Sequence, residues 1–360
     1  MSLDAYRGFI MLAMVSASLG TSQLRGDPTW GPIAYQLDHL KWEGCTFWDL
    51  IQPSFMFMVG VAMPFAFAKR VERGESWTYQ FLHVIKRCLL LCFIGLVMDS
   101  FAKTNITVQF IRVLQQIAIG YFLAFLVLHF GPKGQALAAL ALLAGHSLAF
   151  YLDGGSGAWS YDNRDNNFGR KVDRWMHAPF HSMGYFDILP LSTGFYVTFN
   201  AISAAGTILI GVLAGELLKC TKSSSGRKAL TLLVGGAVLF GAGHLLGEWM
   251  LPVKRIWTAS FALIAAGWTC WMMCFFYVVI DIIGWRGWAW PFVVVGVNSI
   301  FIYFSSGILN GTIRDLLKPY TYFWLRDLGP WGPVVLATAV MFMQWLLCLF
   351  LYRHRIFFKV

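Results

Sequence analysis

Apolar residues run along this chain in blocks of about 18–25, the length a helix needs to cross a bilayer, and polar residues are largely confined to the gaps. Ten blocks are read, at 5–22, 47–68, 82–100, 108–130, 135–152, 197–218, 229–249, 256–280, 289–308 and 333–352. The eighth is long and is expected to tilt. The gaps are short except at 23–46, 153–196 and 309–332, which fall on one side if every block is a span. The pattern predicts an all-α, polytopic transmembrane helical bundle. It forms one domain over 1–360, with a long non-cytosolic loop at about 153–196. No internal repeat is evident, and Ser223-Ser224-Ser225-Gly226 reads as a small turn.

Composition supports the bilayer as solvent. The chain is 58% hydrophobic and 13% charged, against about 25% charged in a soluble domain. Its 16 Trp, 13 Tyr and 31 Phe suit a protein whose aromatic rings collect at membrane interfaces. The net charge of +10 would point to nucleic acid in a soluble protein, but no nucleic-acid-binding signature accompanies it. The cations cluster instead in short loops and the tail: Lys69, Arg70, Arg73, Lys86 and Arg87; Lys219, Lys222, Arg227 and Lys228; and Arg353, Arg355 and Lys359. The ten-span count puts all three groups on one side, which the positive-inside rule makes the cytoplasm, with both termini. The first block lacks a basic leader and a small-residue cleavage site, so it is expected to remain as a span. Cys88 and Cys92, like Cys270 and Cys274, are spaced for helix packing. No thiol set is spaced for zinc and no disulfide or metal is expected.

Three neighbourhoods could carry chemistry. Between the first two spans lie Asp38, His39, Trp42, Glu43 and Asp49. A loop histidine is ordinarily just solvated, but Asp38, Glu43 or Asp49 could orient this imidazole and fix its tautomer. Trp42 is either a sugar-stacking face or an interface anchor. Asp49 opens the second span, where a carboxylate is costly unless paired; the plain alternative is an acid favoured by the helix dipole. The second neighbourhood is polar groups within spans: Arg7, Gln115, Gln116, Asn200, Asn298 and Ser299. These amides either join helices or line a polar interior. The third is the aromatic, Asn, Asp and Arg-rich stretch from Trp159 to Trp175, equally suited to carbohydrate and to headgroups. Walker, dinucleotide, nucleophile-elbow and zincin motifs are absent.

Four stretches resemble the transmembrane acyltransferases typified by heparan-α-glucosaminide N-acetyltransferase. Ser2-Leu3-Asp4-Ala5-Tyr6-Arg7-Gly8 is similar to the family's S-x-D-x-x-R-G. His39 to Trp42 and Gly44 to Gly60, with Asp49-Leu50 and Pro53 inside, resemble its histidine-to-aspartate segment. Arg112 to Ile117 and Gly296-Val297-Asn298-Ser299-Ile300 resemble two later segments, and Gly211 to Gly215 falls where relatives have a similar run. Ser18 and Gln116 depart from the family's Asn and Arg.

The resemblance implies about ten helices in a bacterial inner membrane and acetyl-CoA as co-substrate from the cytosol. The acceptor would be an amino sugar or glycan on the other side, and a homodimer is a further expectation. It casts His39 as general base or acyl acceptor, with Asp49 and Asn298 lining the site. Arg7, Gln115, Gln116, Lys69, Arg70, Lys86 and Arg87 would serve the coenzyme, and Trp42, Asp38 and Glu43 the acceptor. The competing readings are a transporter of a small polar solute, with Pro53, Pro64 and Pro291 marking broken helices, and a non-catalytic membrane partner.

Overall fold

A computed structural model describes residues 1–101, 103, 105–155, 159–181, 186–187 and 196–358. Lys359 of the basic tail and much of the 153–196 stretch lie outside them. Thirteen α-helices occur among the described residues: α1 Ser2–Val15, α2 Gly31–Gln36, α3 Ile51–Glu72, α4 Trp77–Ser100, α5 Val113–Val127, α6 Gly131–Gly154, α7 Phe168–His181, α8 Asn200–Lys219, α9 Ser225–Gly247, α10 Ala259–Phe276, α11 Trp290–Gly296, α12 Ser299–Asp327 and α13 Gly332–Arg353. Among the described residues, Ile106–Thr107 pairs in parallel with Phe186–Asp187 as a two-residue strand pair. Among the described residues, seven helical segments are long and apolar enough to span a membrane, and α11 with α12 makes a further, broken one, bent by 70°. One of the seven, Val113–Gly154, has 42 residues. It folds back at Gly131, because Gly120 before the break and Leu143 after it meet adjacent positions of α8. It therefore holds two of the expected spans. Leu89 and Phe93 on α4 are 65% and 62% exposed, as side chains facing lipid would be.

The chain divides into two compact units. The first comprises Met1–Lys41, Thr46–Ile51 and Met272–Val360. Here α1 crosses α11 so closely that a Cβ on Gly8 would lie 1.7 Å from the Phe292 carbonyl oxygen, and one on Gly296 1.9 Å from that of Asp4. Only glycine admits this backbone approach. The expected span 5–22 is cut short. The α1 helix has 14 residues, about 21 Å of rise. Beyond Ser16, the backbone turns through positive φ at Ala17, Ser18, Leu19 and Gly20. The Ser16 and Thr21 hydroxyls donate to the carbonyls of Ala13 and Ser18, and such local bonds compete with helix continuation. Conversely, the expected loop 309–332 is mostly helix, since α12 runs on to Asp327.

The second unit comprises Trp42–Cys45 and Gln52–Trp271. Its axis is α8, buried nearly all round. A Cβ on Gly60 of α3 would fall 1.9 Å from the Ile208 carbonyl oxygen, and one on Gly211 2.1 Å from that of Phe57. The long 153–196 segment contributes the amphipathic α7, whose inward positions Arg170, Asp173 and His177 are all buried while Trp175 is 77% exposed. Burial raises the Asp173 carboxyl above its usual range, offset by the Thr198 hydrogen bonds and Arg170, and burial lowers the Arg170 guanidinium.

Candidate active site

The loop ahead of α3 is organised around one buried carboxylate. Asp49 lies in the short helical turn Trp48–Leu50 that enters α3. Its Oδ1 is 2.8 Å from His39 Nδ1. Its Oδ2 accepts from the Thr46 backbone N–H at 3.3 Å, the Leu40 N–H at 3.4 Å and the Thr46 hydroxyl at 2.9 Å. That hydroxyl is also 2.8 Å from the Asp38 carbonyl oxygen, so its proton has two acceptors. Convergence of donors is what makes a buried charge tolerable. The imidazole itself is open: its side chain is 45% exposed against 2% for Asp49. With Nδ1–H donated to the carboxylate, the ring is held in the tautomer whose lone pair is on Nε2.

The surrounding loop is stiffened in turn. Asp38 accepts the His39 backbone N–H at 2.6 Å and pairs with Arg25, and the Phe47 N–H donates to Gln36 Oε1 at 3.0 Å. Of the three acids expected to orient the imidazole, Asp49 is the one seen doing so; Asp38 serves Arg25. Glu43 is exposed and forms a backbone bridge to Val253. Trp42 is buried, with the Arg164 guanidinium 5.0 Å over its ring, so that face is already covered. Sequence reasoning gave Thr46 no role. The signal was present: Thr46-x-x-Asp49 ahead of an apolar run is capping-box spacing.

The other sequence candidates fall elsewhere. Asn298 caps α12 at its bend from α11 and is fully buried, donating to the Ile356 carbonyl at 3.0 Å and accepting the Phe358 N–H at 3.0 Å. Its amide thus clamps the C-terminal segment. Arg7 lies 3.7 Å from Asp4. Gln115 caps the start of α5, its Oε1 accepting the Arg112 N–H at 3.1 Å and its Nε2 donating to the Gln109 carbonyl at 2.7 Å. Gln116 accepts from Gln52 Nε2 at 2.7 Å, tying α5 to α3. Gln116 thus joins two helices, while Gln115 closes the start of its own. Arg112 itself pairs with Asp99, a buried acid that the sequence reading passed over.

The cations do gather. Lys69 and Arg70 occupy the last turn of α3, where positive charge complements the helix dipole. Arg70 pairs with Glu75 at 2.7 Å, the Arg87 guanidinium stacks 4.5 Å over Tyr121, and Arg70, Lys86 and Arg87 all act electrostatically on His83. Lys69 and Lys86 are exposed. This end of the second unit offers a positive surface that could hold an anion.

A family profile described as a domain of unknown function (DUF5009) matches residues 1–164. The chain is 23% identical over 415 aligned residues to heparan-alpha-glucosaminide N-acetyltransferase of Mus musculus, covering 99% of this chain and 60% of the relative. It is 22% identical over 418 residues to the Homo sapiens protein of the same name, covering 100% of this chain and 59% of the relative. The chain therefore spans about 60% of the length of these curated relatives. This is a multi-pass membrane protein, similar along its whole length to the heparan-α-glucosaminide N-acetyltransferases.

Proposed function

We propose that this protein is a transmembrane acyltransferase that passes acetyl from acetyl-CoA to the amine of an amino sugar, with His39 as general base and Asp49 as its positioning partner. The observation that carries the reading is the 2.8 Å contact between His39 Nδ1 and the buried Asp49 carboxylate. An amine acceptor is largely protonated near neutrality and does not attack. The neutral imidazole removes a proton at Nε2, a contribution of roughly 10²–10⁴-fold. The amine nitrogen then bonds to the thioester carbonyl carbon and the tetrahedral adduct collapses. The carbon–sulfur bond breaks, the thiolate takes the proton from the imidazolium, and the second proton on the nitrogen passes to water, leaving an amide and free CoA. In the two-step variant, Nε2 attacks the thioester first and the amine takes the acetyl from the ring.

The positive surface of Lys69, Arg70, Lys86 and Arg87 meets the phosphates of the coenzyme by charge-assisted hydrogen bonds. The basic loops face the cytoplasm of a bacterium and His39 the opposite side. The relatives' name, which specifies a glucosaminide, supports an acceptor of glucosamine type. The test is transfer of labelled acetyl from acetyl-CoA to glucosamine by the protein in proteoliposomes. His39→Ala is expected to abolish transfer, and undiminished transfer by that variant would remove His39 from the mechanism.

A further inference from the structure

A cavity of about 560 Å³ opens in the first unit, in the wedge between the left-handed turn after α1, the second half of α12 and the start of α13. Three cations line it: Arg314, Lys318 and Arg326. Lys318 reaches Asp315 at 2.8 Å; among the described residues Arg314 and Arg326 form no ion pair. The lining also includes the apolar side chains of Leu325, Leu336 and Ala337, together with Ser22 and Gln23. The cavity thus joins positive charge to apolar side chains.

Its depth in the bilayer follows from helix arithmetic. The α12 helix has 29 residues, roughly 43 Å of rise, against a hydrocarbon core of about 30 Å. One end must therefore emerge into the headgroups. The emerging half is two-faced. Leu316, Tyr320 and Phe323, spaced i, i+4, i+7 on one face, are 65%, 80% and 75% exposed. Arg314 and Lys318, one turn apart, lie on the other face and line the cavity. Trp30 and Trp331 meet edge to face at 5.1 Å, beside the Pro333–Gly20 contact at this same end, as an interfacial aromatic anchor would. The span count puts this end on the non-cytosolic side, where Lys and Arg are ordinarily sparse.

We infer that this cavity seats the phosphate of an anionic membrane lipid, with Arg314, Lys318 and Arg326 around the headgroup and Leu325, Leu336 and Ala337 against the start of an acyl chain. The site stands apart from the chemistry at His39 and does not depend on it. Phosphate is the chemistry that a fork of two guanidiniums and an ammonium recognises. A zwitterionic lipid brings an ammonium of its own to the same rim and is disfavoured.

The test uses the full-length protein, first delipidated in detergent and then given phosphatidylglycerol, phosphatidylcholine or inorganic phosphate, with native mass spectrometry and thermal unfolding as readouts. Phosphatidylglycerol is expected to be retained and to raise the midpoint, and phosphatidylcholine to do neither. Each cation replaced by glutamine should weaken retention about fivefold, so that Arg314→Gln, Lys318→Gln and Arg326→Gln together cost roughly 100-fold. Lys318→Arg should keep affinity, as should Lys222→Gln, a control that does not line the cavity. Equal retention of the two lipids by the wild type overturns the site, and that comparison stands even if the triple variant does not fold. Full retention by a folded triple variant overturns it too. An equal response to inorganic phosphate alone overturns the lipid as the source of the anion.

Discussion

Replacing Asp49 by asparagine removes one charge and almost no volume, yet the hydrogen bonds decide how the new amide must lie. Three donors converge on Oδ2: the backbone N–H groups of Leu40 and Thr46 and the Thr46 hydroxyl. An amide NH₂ placed there would face the Leu40 and Thr46 N–H groups donor to donor. Each buried, unsatisfied donor costs about 1–3 kcal/mol, so the asparagine oxygen takes that position. Its NH₂ then points at His39 Nδ1, 2.8 Å from where Oδ1 was, and donates to it. The ring proton is forced onto Nε2, and the nitrogen that should accept the amine's proton becomes a donor. Loss of a general base is worth roughly 10²–10⁴-fold, and the equivalent substitution in a Ser-His-Asp triad costs about 10⁴ through the same wrong tautomer. Asp49→Asn is therefore expected to lower kcat for acetyl transfer by 10²–10⁴-fold. KM for acetyl-CoA should change little, because the lost interaction is one used in the transition state. The assay is initial-rate transfer of labelled acetyl to glucosamine by purified protein, with thermal unfolding confirming that the variant is folded. Thr46→Val keeps the carboxylate and the two backbone donors and should cost far less. A folded Asp49→Asn protein working within threefold of the wild type would refute the tautomer argument.

The helix crossings make a prediction about stability: Gly60→Leu and Gly8→Leu, whose Cβ atoms would lie 1.9 Å and 1.7 Å from carbonyl oxygens, should prevent recovery of monodisperse protein, whereas Gly145→Leu, with open space around it, should behave as wild type on size-exclusion chromatography. Arg112→Ala strands the buried Asp99 charge and should cost about 3–5 kcal/mol, most of it recovered by adding Asp99→Asn; unfolding midpoints of the single and double variants check this, and an unchanged midpoint in the single variant would show the pair to be idle. Asn298→Ala should release the segment from Ile356 onward, read as faster carboxypeptidase trimming than in the wild type. Asp173 supplies the pH dependence. Burial raises its folded-state carboxyl above the unfolded value, so its stabilising contribution is complete below the unfolded value and is lost as pH rises through the folded one. The midpoint of Asp173→Asn relative to wild type should therefore climb between acid and neutral pH, and a flat difference would contradict the assignment.

The spans were legible because the bilayer imposes a single length and polarity on them. The errors cluster where that constraint stops. The Ser16 to Gly20 run reads as apolar by composition, but its hydroxyls and glycine let the backbone leave the helix. The 309–332 stretch reads as a loop because Arg314, Lys318 and Arg326 break its hydropathy, although cations on one face of a helix are no obstacle to its continuing. The short stretches that carried the resemblance have a physical basis that sequence alone did not show. Gly8 and Gly296 press together in one crossing, and Gly60 and Gly211 belong to another. Gln115, Gln116 and Asn298 looked like ligands because they are amides within spans. In place Gln115 and Asn298 satisfy backbone groups at a helix start and along the C-terminal segment, which a helix end removed from water requires, and Gln116 joins α5 to α3 through Gln52.

Asp49 invites two readings from sequence, an acid drawn to a helix N-terminus or a member of a site, and the structure makes them one. In the turn that leads into α3, the carboxylate lies near the positive end of the helix dipole and accepts from the Leu40 and Thr46 N–H groups and the Thr46 hydroxyl, which is why it can be buried at the edge of a membrane span. The same placement fixes it at the foot of α3, with the Thr46 N–H and hydroxyl both donating to its carboxylate. A group that must hold an imidazole to within a few tenths of an ångström needs such a base. The histidine is restrained at Nδ1 and at its backbone N–H through Asp38, which is itself held by Arg25. Weakening Arg25 should loosen the ring without touching the base, so Arg25→Ala is expected to lower the rate far less than the roughly 10²–10⁴-fold of Asp49→Asn. Equal losses from the two would mean that the loop, and not the tautomer, limits the reaction.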